Sequence, residues 1–151
     1  MQIGIDVGAT KIESVVLEDS GKEQHRSRTD CPKDYNLILS AIKDINSSLE
    51  NTFKKKLPIG VCHPGIHSPQ TGLVKNAPNC FWLEKKPFQQ DLRKLLNKEV
   101  FCENDANCFA LSEAIDGAAK HYKVVYGIIL GSGAGGGLVV DKKIVSGPNG
   151  V

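Results

Sequence analysis

Short apolar stretches separated by glycine turns dominate the first part of the sequence. Residues 2–7 are apolar and end at a glycine turn, residues 12–17 resume with β-branched side chains, and residues 23–29 form a more polar stretch after a Ser-Gly turn. Apolar runs of this length, bounded by turn residues, are typical of strands. The pattern predicts a β-hairpin followed by a third strand.

The clearest helical pattern starts after Asp34. Apolar residues recur there at helical spacing with polar residues between them, which predicts a helix with one face on the core. These residues are Leu37, Ile38, Ala41, Ile42, Ile45 and Leu49. Residues 57–62 follow as a candidate buried strand. The proline and glycine residues within 63–78 predict a long loop that holds a small hairpin.

Helix and strand signals alternate in the middle of the chain. Residues 87–96 predict a short helix with Pro87 at its start, and residues 100–102 predict a strand. A second helix follows and extends to about Ala119. The end of this helix is a natural domain boundary, so we expect an amino-terminal α/β lobe over residues 1–119.

A glycine-rich segment separates the last two long apolar strands. Strands are predicted over residues 124–130 and 138–140, with residues 131–137 as the turn between them and residues 141–143 as the next turn. Residues 120–151 would therefore open a second lobe. Because no later element covers these final strands, we expect the sequence to be the amino-terminal portion of a longer protein.

Composition and charge narrow the class of protein. With 40% hydrophobic residues and 19 basic against 17 acidic residues, the sequence is typical of a globular domain and lacks the basic surplus of a nucleic-acid-binding protein. The run Lys54, Lys55 and Lys56 is interpreted as a solvated helix end. No signal peptide and no run of eighteen apolar residues occur. We therefore expect a cytoplasmic protein without a membrane or nucleic acid partner.

The cysteines are odd in number and form no C-x-x-C pair. This argues against both a disulfide framework and a zinc knuckle, so reduced thiols are expected. The five are Cys31, Cys62, Cys80, Cys102 and Cys108.

The first glycine turn is a candidate phosphate site. Glycine lets backbone N–H groups approach an anion, Thr10 offers a hydroxyl, and Lys11 adds a positive charge. Asp6, at a strand end, can hold a magnesium ion directly or through water. The candidate residues are Asp6, Gly8, Ala9, Thr10 and Lys11. A tight hairpin with a surface lysine explains the same residues without a ligand.

The second glycine turn, residues 131–137, is a further candidate. It differs from a Walker loop because no Gly-Lys-Ser/Thr ends it, and from the dinucleotide fingerprint because a strand follows it. Five glycines in seven residues carry an entropic cost that a simple chain reversal does not require. Backbone amides would be the phosphate ligands here. The candidates are Gly131, Ser132, Gly133, Ala134, Gly135 and Gly136.

A polar run, residues 103–107, occurs where a strand meets a helix. Asp105 can take the proton from a hydroxyl as it attacks phosphorus, while Asn104 hydrogen-bonds that substrate. By themselves these residues are also explained as a helix N-cap. The order of the three motifs along the chain favours transfer of a phosphoryl group from ATP to an alcohol, a reaction that depends mainly on positioning and charge neutralisation.

In this order the motifs resemble the ROK family of sugar kinases and sugar-responsive repressors. The resemblance covers the whole chain and includes residues 64–65 and 71–79 as a sugar-site loop. It implies the actin-like ATPase (ribonuclease H-like) fold, a mixed sheet with flanking helices. It also implies that Asp105 is the base acting on the 6-hydroxyl of a hexose, with Mg-ATP at the two glycine turns. The implied sugar contacts are Gly65, Asn79 and Asn104.

Finer features of the resemblance suggest a branch of the family. Residues 104–114 are most similar to the bacterial fructokinase and N-acetylglucosamine kinase branches, and residues 68–72, 87–88 and 115–118 favour fructokinase. Two departures from the motifs are small: Ala9 stands for a glycine and Ser132 for a threonine.

The resemblance also implies what this chain does not contain. A structural zinc site, the adenine-binding residues and the rest of the second lobe would lie beyond Val151. We therefore expect no zinc ligand within this chain, and His63 and His67 are interpreted as loop residues. The full-length protein is expected to be a homodimer, and the 151 residues alone are expected to be inactive.

The repressors of the same family remain the alternative. They carry a DNA-binding helix-turn-helix ahead of the first phosphate motif, which here begins at Asp6. A DNA-binding regulator is therefore disfavoured, whereas a sugar-sensing domain without its DNA-binding module stays open.

Overall fold

Ten strands and three α-helices make up the fold, in a computed structural model that describes residues 1–130 and 133–149. The strands are β1 Gln2–Val7, β2 Lys11–Leu17, β3 Glu23–Asp30, β4 Ile59–His63, β5 Ile66–His67, β6 Val74–Lys75, β7 Val100–Asn104, β8 Val124–Leu130, β9 Ala134–Val140 and β10 Lys143–Ile144. The helices are α1 Tyr35–Phe53, α2 Phe88–Leu96 and α3 Asp105–Ile115, with a 3₁₀ helix over Pro78–Leu83.

A five-stranded mixed sheet has the order β3-β2-β1-β4-β7. The first three strands form an antiparallel meander, whereas β1, β4 and β7 run parallel to one another. Parallel strands end at the same edge of a sheet, and this edge commonly carries the ligand site of an α/β protein. Here Asp6 is opposite Cys62, and His63 is opposite Asn104. The sheet thus brings the ends of three motif-bearing segments together.

Helices α1 and α2 cover one face of this sheet. Ile38 and Ile42 of α1, together with Phe88 and Leu92 of α2, are fully buried and belong to the same core as the alternating residues of the strands. Helix α1 starts where the sequence predicts, because the Asp34 carboxylate accepts a hydrogen bond of 3.0 Å from the Leu37 N–H.

The basic run after α1 is an exposed helix end, as the sequence predicts. Lys54 adopts the left-handed conformation that ends the helix, and Lys54, Lys55 and Lys56 are exposed. The small hairpin expected in the long loop is also present, as β5 and β6.

The second sheet has the order β10-β9-β8 and packs against α3. The glycines of β9 make this packing possible. A Cβ atom on Gly137 would lie 2.7 Å from the Ala106 carbonyl oxygen and 2.9 Å from the Asn107 Cα atom. Because any larger residue would collide with helix backbone, glycine lets α3 lie directly on the sheet.

Several sequence-based boundaries differ from the structure, and the two largest differences are at β9 and α3. Strand β9 starts at Ala134, so the residues from Ala134 onward form a ladder with β8 and are not part of a turn. The glycines misled the interpretation because their role in packing against α3 cannot be seen locally. Helix α3 ends at Ile115, before the expected Ala119, and Asp116 is its C-cap. The sequence predicts no element over most of Pro78–Leu83, where the structure has the 3₁₀ helix.

A largely buried ion pair between Glu50 and Lys98 joins the end of α1 to the segment between α2 and β7. The Glu50 carboxylate accepts hydrogen bonds from Lys98 Nζ (3.0 Å), Lys56 Nζ (3.0 Å) and the Leu57 N–H (3.1 Å). Lys98 Nζ also donates to the Asn46 side chain and, at 2.8 Å, to the Leu57 carbonyl. Burial alone would raise the pKa of Glu50, but these donors outweigh it and lower the pKa to about 2.

Replacing Glu50 with glutamine should destabilise the protein by about 2 kcal/mol at pH 7, since Lys98 would keep its charge without its partner. Because the Glu50 pKa falls from 4.5 to about 2 on folding, the ion pair stabilises the fold fully above pH 4.5. That stabilisation is lost as the pH falls towards about 2. Urea denaturation at several pH values should therefore show the variant and the wild type converging in acid.

Asp44→Asn is the matched control for this measurement. Asp44 is exposed on the same helix, and its replacement should change the free energy of unfolding by less than about 0.5 kcal/mol at any pH. A Glu50→Gln protein as stable as the wild type at pH 7 would contradict the role assigned to the ion pair.

All five cysteines are free thiols, as expected from the sequence. Within residues 1–130 and 133–149, no helix combines the length and apolar character that a membrane span requires.

Candidate functional site

The junction between β7 and α3 forms the centre of the candidate site. Asn104 is the last residue of β7 and caps α3: its Oδ1 accepts from the N–H groups of Ala106 (3.0 Å) and Asn107 (3.2 Å). The capping interpretation of this motif is therefore correct. The cap uses only the Oδ1 atom of the Asn104 side chain. The other polar atom, Nδ2, donates to Asp105 Oδ1 and to the Gly65 carbonyl oxygen, both at 2.9 Å.

The two oxygens of Asp105 are in different situations. Oδ1 accepts from Asn104 Nδ2 and from the Ala106 N–H, both at 2.9 Å. No hydrogen bond reaches Oδ2 from the described part of the chain. One oxygen thus fixes the carboxylate and the other can accept a proton from a substrate hydroxyl, at a helix N-terminus that stabilises negative charge.

Gly65 links the hairpin of β5 and β6 to this junction. Its φ angle is +80°, and a Cβ atom there would lie 2.6 Å from the Lys75 carbonyl oxygen and 2.9 Å from the Ala77 Cβ atom. Only glycine fits both the backbone conformation and the space. Asn104 Nδ2 donates both to the Gly65 carbonyl and to Asp105. The Asn104 side chain therefore links the predicted sugar loop to the predicted base.

Asn79 lies beside the described end of the glycine-rich segment. Its Nδ2 atom would be 3.6 Å from a Cβ atom placed on Gly133. The 3₁₀ helix that carries Asn79 is anchored by Glu84, whose carboxylate accepts from the N–H groups of Asn76 (3.1 Å) and Ala77 (2.9 Å). A residue predicted to contact the sugar and one predicted to contact phosphate are therefore neighbours.

The other residues of the second phosphate motif are partly described. Ala134, Gly135 and Gly136 are exposed in β9, and a Cβ atom on Gly135 would face the Ala106 side chain at 3.2 Å. Gly131 and Ser132 lie outside the described residues. The predicted role of these residues in binding ATP stays a prediction.

The first glycine turn connects β1 to β2. The Gly8 N–H donates to the Lys11 carbonyl at 2.8 Å, and Ala9 and Thr10 form the tip of the turn. The Lys11 ammonium pairs with the carboxylate of Asp30, its cross-strand neighbour. The lysine therefore has a structural partner, and its assignment to phosphate stays a prediction.

Asp6 lies near the end of β1, on the same edge as Asp105. Asp6 is an exposed residue, and its Oδ1 accepts a hydrogen bond of 3.2 Å from the Cys62 thiol. Desolvation by the surrounding protein raises the pKa of Asp6; the Cys62 thiol opposes this rise, and the charge of Asp105 adds to it. A carboxylate that is disfavoured by a second negative charge suits a divalent cation, so Asp6 fits a magnesium ion as a direct or water-mediated ligand.

His63 was placed incorrectly by the sequence interpretation. It is the last residue of β4, and it continues the buried positions of Ile59 and Val61. Its Nδ1 donates to the Pro64 carbonyl at 2.9 Å, which leaves Nε2 to accept from His67 Nδ1 at 3.3 Å. Burial lowers the pKa of both rings, that of His67 to about 4. The alternation of buried and less buried positions along β4, continued from Ile59 and Val61, was the signal that could have extended the strand to His63.

The ROK family model matches residues 2–151. The chain belongs to the ROK family. The family resemblance drawn from the motifs is thus confirmed, and it extends from the first strand onward.

Curated relatives of this ROK chain are named as kinases. N-acetyl-D-glucosamine kinases of Histophilus somni (strain 129Pt) and Pasteurella multocida (strain Pm70) are each 40% identical over 152 residues, which cover 100% of this chain and 50% of each relative. The chain spans about half the length of the curated relatives it matches.

Solved structures confirm the actin-like ATPase fold. A ROK family glucokinase from Streptomyces griseus, in complex with glucose and AMPPNP, superposes with a TM-score of 0.88 at 28% identity, over 99% of this chain and 47% of that chain. A ROK family transcriptional regulator, a homolog of the E. coli MLC protein, reaches 0.81 at 19% identity, over 99% and 39%. The fold is therefore common to kinases and regulators, and the function must be argued from the site.

Proposed function

We propose that this chain forms the amino-terminal part of an ATP-dependent hexose kinase that phosphorylates the 6-hydroxyl of its sugar. The observation that carries the proposal is the state of Asp105, in which Asn104 Nδ2 and the Ala106 N–H hold one oxygen and no described residue donates to the other. A helix cap requires only the Asn104 oxygen. The additional fixing of the Asp105 carboxylate is what a general base requires.

The proposed reaction is a single displacement. The sugar 6-oxygen attacks the γ-phosphorus of ATP, its proton passes to Asp105 Oδ2, and the bond to the β–γ bridging oxygen breaks to release ADP. Asn104 and Gly65 hold the sugar loop against the base, and Asn79 is proposed to contact the sugar. A magnesium ion at Asp6 would neutralise charge on the polyphosphate.

The identity of the hexose is a separate question. The curated relatives at 40% identity are named N-acetyl-D-glucosamine kinases, and this supports N-acetylglucosamine as the first sugar to test. The motif resemblance favoured fructose, and none of the relatives described above supports that preference specifically. We therefore place fructose second. The five free thiols support a reducing compartment, and we propose the cytoplasm.

A sugar-sensing domain is the second candidate function, because the regulator described above has the same fold. The two functions differ in turnover. A kinase converts ATP and a hexose to ADP and a sugar phosphate, whereas a sensor binds the sugar without consuming ATP.

An ADP-release assay on the full-length gene product distinguishes these functions. The protein is supplied with Mg-ATP and, in turn, N-acetylglucosamine, fructose, glucose, mannose and N-acetylmannosamine. We expect at least one hexose to stimulate ADP release by more than about 100-fold over the sugar-free rate. Sugar binding by calorimetry with no stimulated ADP release would favour the sensor and refute the kinase.

A further inference from the structure

A second hydrogen-bonded bridge spans the junction that carries Asp105. Glu103 Oε1 accepts from the Asn104 backbone N–H at 2.8 Å and from Asn107 Nδ2 at 3.0 Å. The bridge therefore begins before Asp105 in the sequence and ends after it. We propose that Glu103 and Asn107 are positioning residues that fix the orientation of Asp105; this inference rests on the proposed kinase function.

The bridge is not needed to cap the helix. Asn104 Oδ1 already satisfies the free N–H groups of Ala106 and Asn107, so the Asn107 side chain is not required for the cap. Asn107 is nevertheless 9% exposed, and its amide donates to a carboxylate. Hydrogen bonds to a charged acceptor are stronger than neutral ones, and this one, which is partly buried, restricts both side chains.

The bridge acts on the base through Asn104. Glu103 holds the Asn104 backbone, and the Asn104 side chain holds Asp105 Oδ1. Asn107, Glu103, Asn104 and Asp105 are therefore linked in series by hydrogen bonds. A displacement of Asn107 or Glu103 would therefore shift Asn104 and, through it, the Asp105 carboxylate.

The far end of this series is anchored to the second sheet. The Asn107 Cα atom would be 2.9 Å from a Cβ atom on Gly137, so the first turn of α3 rests on β9. The series thus connects a fixed contact on the sheet to the proposed base. A displacement of about 1 Å in a catalytic group can lower the rate by about 100-fold. Loss of the bridge is therefore expected to lower kcat strongly.

Reversing the polarity of the bridge tests the inference in the full-length gene product. Asn107→Asp places two carboxylates together, and we expect kcat to fall by about 30-fold while the hexose KM changes less than about twofold. Glu103→Gln should lower kcat by about threefold. In the double variant, the amide introduced at position 103 can donate to the carboxylate introduced at position 107, and kcat should recover to within about fivefold of the wild type. Asn107→Ala replaces Asn107→Asp if the latter does not fold.

Glu113→Gln is the matched control on the same helix. The Glu113 carboxylate also accepts a backbone N–H, from Ala118 at 2.8 Å, but it is distant in sequence from the junction. The kcat of the Glu113→Gln variant should equal that of the wild type. Melting temperatures of all variants separate unfolding from misplacement. A purely structural role would be indicated, and the inference overturned, if Asn107→Asp and Asn107→Ala kept full kcat or if the double variant were no better than Asn107→Asp.

The same series separates this inference from the proposed function. An active wild type that loses turnover in Asp105→Asn upholds the kinase, whatever the bridge variants do. An inactive wild type overturns both the kinase and the positioning role that depends on it.

Discussion

Replacing Asp105 with asparagine should lower the kcat of the full-length gene product by about 1000-fold, within the range expected for loss of a general base. Asparagine has the same shape and can still accept from Asn104 Nδ2 through its oxygen. Its amide nitrogen cannot accept the hydroxyl proton at the position of Oδ2. The hexose KM should change by less than about threefold, because the sugar loop would remain in contact with Asn104.

Asp116→Asn provides the control for this prediction. Asp116 is the C-cap of the helix that Asp105 begins, so the two changes alter charge at opposite ends of α3. We expect Asp116→Asn to keep kcat within about twofold of the wild type. Turnover by Asp105→Asn equal to that of Asp116→Asn would rule out Asp105 as the base. Steady-state kinetics with N-acetylglucosamine and fructose provide the comparison.

Replacing Gly137 with alanine should destabilise the protein by about 3 kcal/mol. The new methyl group would meet the Ala106 carbonyl at 2.7 Å, the Asn107 Cα atom at 2.9 Å and the Ala110 Cβ atom at 3.0 Å. Two of these atoms belong to helix backbone, so α3 would have to move away from β9. Because Ala106 and Asn107 follow the proposed base directly, kcat should fall as well. Urea denaturation followed by circular dichroism measures the first effect.

Gly60→Ala is the matched glycine control, because a Cβ atom there has no neighbour within 4 Å. Its free energy of unfolding should change by less than about 0.5 kcal/mol. The pair also distinguishes two roles for the glycines of β9. A role in packing predicts lost stability for Gly137→Ala, whereas a role in phosphate binding alone predicts a raised ATP KM at unchanged stability. The second result would contradict the packing that we describe.

Much of the fold could be predicted because the local signals agree with the tertiary structure. Helix α1 has both its Asp34 cap and a continuous apolar face, and β1 and β8 are short apolar runs between turns. In these segments the apolar residues that give the local helix or strand signal include the ones that pack in the core. The family could also be predicted, since three separate motifs in a fixed order along the chain are far more specific than any one of them.

The glycine-rich segment shows why other features could not be predicted. Glycine has a high entropic cost in a strand and usually marks a turn, so the local signal favours a turn over residues 131–137. The structure has β9 from Ala134 because Gly135 and Gly137 lie against α3, a contact between segments distant in sequence. The position of a helix packed against a strand is not encoded by the strand alone.

In the candidate site, too, some features could be predicted from the sequence and others could not. The strand–helix boundary at Asn104 and Asp105 could be predicted from the sequence, because the residue types indicate a helix cap there. The catalytic role of Asp105 and the sugar contact of Asn104 stay predictions. The Glu103–Asn107 bridge was missed, although a spacing of four residues on a helix is a known signal for a side-chain pair. Glu103 lies on the strand side of the boundary, so the helical spacing could not be assumed. Buried His63 was missed because Pro64 suggested that the strand had already ended.

The most direct test of the central claim is the chemical identity of the product. The full-length gene product is incubated with Mg-ATP and, in separate samples, each of the five sugars of the ADP-release assay, starting with N-acetylglucosamine and fructose, and each mixture is followed by phosphorus NMR with proton correlation. We predict equal amounts of ADP and a sugar phosphate whose phosphorus couples to the protons on C6. Inorganic phosphate in place of a sugar phosphate, a phosphate on another hydroxyl, or no conversion of ATP with any of the five sugars would contradict the account.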